Sequence, residues 1–72
     1  MFRLVVPMRP RGSQDAYRLA SYYTVEHSEF EAKMKVRRTL EYRGLEVDFH
    51  NMRLEDLDPR APMHITVDEE FI

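Results

Sequence analysis

The chain has no cysteine, which excludes a disulfide scaffold, a thiolate zinc site and a cysteine nucleophile together. Long apolar runs are missing too. The longest, Leu4 to Met8, falls far short of the roughly 20 residues that span a bilayer as a helix. No apolar stretch of about 7–15 residues follows the amino-terminal charge, so no secretory leader is expected, and a cytoplasmic location is. There is no HExxH, no glycine-rich phosphate loop and no GxSxG turn, so the usual metal, nucleotide and serine-nucleophile signatures are lacking. Ser13, Ser21 and Ser28 each have a structural role open to them, as loop residue, strand residue and helix cap. What remains is 72 residues, 43% hydrophobic and 33% charged, a balance that suits one small globular domain over the whole length.

Charge is unevenly spread. Residues 1–27 carry Arg3, Arg9, Arg11 and Arg18 against Asp15 and Glu26. Residues 28–44 carry five bases against Glu29, Glu31 and Glu41, whereas residues 45–72 hold eight acids against Arg53 and Arg60. A basic front is joined to an acidic back. Such asymmetry marks a polyanion-binding face or an acidic partner-binding tail, unless the two ends neutralise one another in the folded domain.

Phe2, Leu4, Val6 and Met8 alternate with Arg3, Val5 and Pro7, the pattern of a half-buried strand. Pro7 lacks an amide donor, which places this strand at a sheet edge or ends it there. Arg9 to Ser13 reads as a loop. Tyr17 to Val25 is rich in aromatic and β-branched residues and predicts a second strand, although Ala16, Leu19, Ala20 and Tyr23 also fit a helical stripe. Ser28 and Glu31 have the spacing of a capping box. Ala32, Val36 and Leu40 follow at every fourth position, and Gly44 stands where a left-handed residue ends a helix. A helix over about 29–43 is therefore predicted, against a rival strand reading of Phe30, Ala32, Met34 and Val36. Leu45, Val47 and Phe49 predict a third strand, Asn51 to Pro62 a polar connection, and Met63, Ile65 and Val67 a fourth strand. Residues 68–72 continue that strand or fray. The fold expected is α+β, in the order β-β-α-β-β, with one helix on one face of a mainly antiparallel sheet.

Three function classes compete. If the third strand runs through His50, then Asp48 and His50 share one sheet face, and His64 of the last strand joins them if the two strands are neighbours. That grouping is the one place for general acid–base or metal chemistry. An open sheet face has no cleft to exclude water, so neither enzyme activity nor a cofactor is expected. Nucleic-acid binding would use the loop arginines, the basic helix and the tyrosines, but a pI near 5.9 and the acidic carboxyl third oppose it.

The third class, protein binding, is the leading expectation. Its contact residues are expected to be Arg9, Arg11, Arg18, Tyr22, Phe30 and Met34, since aromatics, Met and Arg are enriched in interfaces. Phe30 and Met34 lie off the Ala32–Val36–Leu40 stripe on a second side of the helix, and the alternative is that they merely widen the buried face. The expected role is stoichiometric: a regulator, adaptor or inhibitor of a larger protein or complex, and a phage or mobile-element inhibitor of a host system would suit the small size and the lack of catalytic motifs. A homodimer or an obligate complex is expected from the small core and open edges.

Overall fold

The computed structural model describes residues 1–55 and 69–72. In chain order its elements are strand β1 (Phe2–Pro10), strand β2 (Arg18–Thr24), helix α1 (Glu29–Tyr42), strand β3 (Leu45–Val47), a 3-10 turn (Phe49–Asn51), strand β4 (Arg53–Glu55) and strand β5 (Glu69–Phe71). The fold is α+β, one helix packed against a small and mostly antiparallel sheet, as the alternation and caps predict. The predicted fourth strand, Met63–Val67, and His64 within it lie outside the described residues.

β1 is the centre of the sheet. β2 runs antiparallel on one side of it, with Leu4 opposite Tyr22 and Val6 opposite Ala20. On the other side β3 pairs with Met8–Pro10 and β4 with Arg3–Val5, both antiparallel. β5 lies beyond β2 and runs parallel to it, with Tyr22 opposite Glu70. Leu4, Val6 and Tyr22 point to one face, where they meet Ala32, Val36 and Leu40 of α1 and Met52 in a single core. Phe2, Met8, Ala20, Leu45, Val47 and Leu54 pack around its rim. Each aliphatic side chain buried this way contributes about 1.5–3 kcal/mol relative to exposure.

Local chemistry explains why α1 begins and ends where it does. Ser28 is extended, and its hydroxyl accepts from the Glu31 amide at 3.2 Å, satisfying one of the free amides of the first turn. At the other end Gly44 adopts φ +84°, and its amide donates to the Glu41 carbonyl at 3.0 Å. That left-handed residue turns the chain into β3. The strand reading of residues 29–43 is thereby excluded, and the pairing of Arg18–Thr24 with β1 excludes the helical reading of that segment.

Three expectations are corrected. The strand carrying Pro7 is central, not at an edge, and it continues to Pro10. Its carbonyl accepts from the Asp48 amide at 3.0 Å. In a strand a residue's amide and carbonyl point to the same side, so the donor Pro7 lacks would face the gap between β3 and β4, and neither of those ladders includes Pro7. The third strand stops at Val47 instead of reaching His50. From Val47, opposite Met8, to Arg53, opposite Val5, one side advances six positions and the other three. The 3-10 turn absorbs the surplus. Leu54, expected in a loop, belongs to β4 and is packed against the core. Of the two outcomes left open for residues 68–72, fraying is excluded: Glu69–Phe71 is a strand, parallel to β2, and its continuity with Met63–Val67 lies outside the described residues.

Candidate functional site

The six expected contact residues do not form one surface. Arg9 projects from the sheet face opposite α1, by alternation from Met8. Its guanidinium pairs with Glu46 of β3, donates to the Asp15 carbonyl at 3.0 Å, and lies 4.2 Å from the centre of the Tyr17 ring. Glu46 holds the protonated guanidinium still more firmly in place. Arg11 is committed as well: its guanidinium donates to the Glu41 carbonyl at 2.7 Å, and its backbone amide to the Gly44 carbonyl at 3.0 Å. It adds a cation at the carboxyl end of α1, beside the C-cap Arg43, where the last turn has none of its own. Both loop arginines thus organise the loop and the helix end. Arg18, at the start of β2, is exposed.

Tyr22 belongs to the core at 5% exposure, with its hydroxyl 3.2 Å from the Met8 sulfur. Burial pushes its phenol up, with the Glu70 carboxylate adding to that and Arg43 opposing it. It has no surface to give to a partner.

Phe30 and Met34 are brought together. The buried stripe Ala32–Val36–Leu40 fixes how α1 is rotated on the sheet, and residues two positions earlier fall about 160° away around the helix. That outer row, at four-residue spacing, reads Phe30, Met34, Arg38 and Tyr42. Phe30 is 66% exposed and Tyr42 94%. Phe30, Met34 and Arg38 line a groove of about 310 Å³ with Glu26, Glu31 and Lys35. Phe30 therefore does not widen the buried face. Arg38 and Tyr42 were not expected at the site, although the signal is visible in the sequence: the spacing that relates Ala32 to Leu40 also runs from Phe30 to Tyr42.

Electrostatics divide the charged residues of α1 into used and unused groups. Lys33 pairs with Glu29 at 3.0 Å, Lys35 with Glu26 at 3.5 Å and Arg37 with Glu41 at 2.9 Å. The side chains of Glu31 and Arg38 make no ion pair among the described residues. They stand at opposite ends of the groove.

The Asp48–His50 grouping is not formed as expected. Asp48 leaves the sheet, and its carboxylate accepts from the Asn51 side-chain amide at 2.7 Å. His50 is exposed within the 3-10 turn, edge-on to the Phe49 ring with 6.2 Å between centroids. His64 lies outside the described residues. Among the described residues no group of three His, Asp or Glu side chains is placed to hold a metal ion. Nor, among them, is any helix long and apolar enough to cross a membrane. No protein-family model, curated protein or solved structure matches this chain.

Proposed function

We propose that this protein is a protein-binding module that acts by stoichiometric association, as a regulator, adaptor or inhibitor of a larger protein or complex. The observation that carries this reading is the outer row of α1: two exposed aromatics, a methionine and an arginine, none of them needed by the core. Large exposed aromatics beside Arg are the residue types that dominate binding energy at protein interfaces. Holding them on a capped, well-packed helix removes the ordering cost that a loop would impose on binding. Two of the three arginines that favoured nucleic acid are engaged within the chain, which leaves Arg18 and the helix to grip phosphates.

Affinity capture from the source cells, with wild type and with Phe30→Ala and Arg38→Glu, tests the reading. A protein recovered at a fixed ratio with wild type and lost with both variants, at unchanged melting temperature, is the expected result. Titration with duplex DNA and RNA provides the counter-test. Submicromolar affinity falling linearly with the logarithm of salt concentration would replace protein binding by phosphate binding.

A further inference from the structure

The outer face of α1 is dipolar as well as apolar. Glu31 lies near its amino end and Arg38 near its carboxyl end, seven residues or about 10 Å apart along the axis. They are too far apart to meet within one helix, and neither has another ion-pair partner among the described residues. Between them Met34 and Lys35 complete a four-residue hole at positions i, i+3, i+4 and i+7, the kind of depression that receives a side chain from a facing helix. Such a face is complementary to itself when reversed.

We propose that the occupant of this face is a second copy of the chain, docked helix against helix in antiparallel orientation about a two-fold axis. This rests on the protein-binding reading and names the partner of the same face. An axis crossing between Met34 and Lys35 sets Glu31 of each copy level with Arg38 of the other. It brings the two Met34 side chains together at the centre and lays each Phe30 beside the stem and guanidinium of the opposing Arg38. The two copies then make two equivalent ion pairs and two equivalent cation–aromatic contacts. Antiparallel helices also align opposite ends of their dipoles, whereas a parallel pair would stack Glu31 on Glu31 and Arg38 on Arg38. The helix has 14 residues and is about 21 Å long, so the buried area falls below the ~800 Å² per partner of a standard interface. A dimer of micromolar affinity is expected, and any larger partner using this face must displace the second copy.

Sedimentation analysis from low micromolar to millimolar concentration should show a monomer–dimer equilibrium. Arg38→Glu places two glutamates opposite two others, and Glu31→Arg does the same with arginines. Each should weaken the dimer at least tenfold. An equimolar mixture of the two variants should recover a heterodimer of wild-type affinity, and the double variant carrying both changes should recover a homodimer. Glu31 lies in the first helical turn, so circular dichroism of each variant separates lost pairing from lost helix. If Glu31→Arg unfolds, Arg38→Glu mixed with wild type reads the same contact through one restored pair. A chain that stays monomeric at millimolar concentration would overturn the dimer. If Phe30→Ala and Arg38→Glu still abolished capture of a cellular protein, the protein-binding reading would survive without it. A dimer unaffected by both charge reversals would also overturn the proposal, since it would lie on another surface.

Discussion

The guanidinium of Arg43 donates to both carboxylate oxygens of Glu70, at 2.7 and 2.6 Å, and so ties the C-cap of α1 to the last strand. β5 has three residues and, among the described residues, pairs with β2 alone. The bidentate pair therefore gives it a second attachment, from the helix side of the sheet.

That pair predicts an acid-sensitive edge. Arg43 holds the Glu70 carboxyl below the ordinary value of 4.5, chiefly by hydrogen bonding and further by its charge, while burial opposes this. A depressed folded value means the contribution is present above the unfolded value and is lost as pH falls through the folded one. Both side chains are close to half exposed, so solvent screening limits the gain to about 0.5 kcal/mol. Glu70→Gln should lower the melting temperature slightly at neutral pH and make no difference well below pH 4.5. A deficit that persists in acid would show that the carboxylate charge is not what holds β5.

Gly44 provides a backbone test free of packing effects. A Cβ built there meets nothing within 4 Å, yet φ is +84°. Gly44→Ala should cost about 1 kcal/mol and Gly44→Val more, because side-chain-bearing residues are strained at positive φ. Denaturant titration measures this, and equal stability of Gly44→Ala and wild type would contradict it.

The amino-terminal cap makes a parallel prediction. Ser28→Ala removes the acceptor for the Glu31 amide and should cost about 1 kcal/mol, with Ser28→Asp retaining most of the stability. If Asp is no better than Ala, the cap hydrogen bond is not the source of the loss.

Thr24 is fully buried on β2, and among the described residues its hydroxyl has no hydrogen-bond partner. Replacing it by the similarly shaped Val removes an unsatisfied polar group. Thr24→Val should be neutral or stabilising by up to about 1 kcal/mol. A loss greater than that, read by thermal melting, would mean the hydroxyl has a partner in solution.

Elements whose signals are local were legible in the sequence. The Ser28 cap, the Ala32–Val36–Leu40 stripe and Gly44 specify α1 within one stretch of chain, because capping bonds and helical periodicity involve residues a few positions apart. The alternation of Phe2 to Met8 marks β1 for the same reason, its period of two being a property of the extended backbone. The candidate site was half legible. Phe30 and Met34 stand off the core stripe in the sequence itself, and continuing that row by two steps reaches Arg38 and Tyr42.

Tertiary structure decided the rest, through interactions between distant residues. Whether Pro7 sits at an edge depends on what lies beside it, and the gap between β3 and β4 supplies a place where its missing amide is not required. The 3-10 turn after Val47 is set by the need to realign with β1, which alternation in Leu45 to Phe49 does not encode. Arg9 and Arg11 look like free surface cations in sequence, but Glu46, Tyr17 and the Glu41 carbonyl engage them in space. Composition and periodicity thus determined α1, β1 and β2, but not where β3 ends or that Arg53–Glu55 forms β4. The choice of neighbours for each strand, and of which charges stay unpaired, belonged to packing and to ion pairs between residues far apart in the chain.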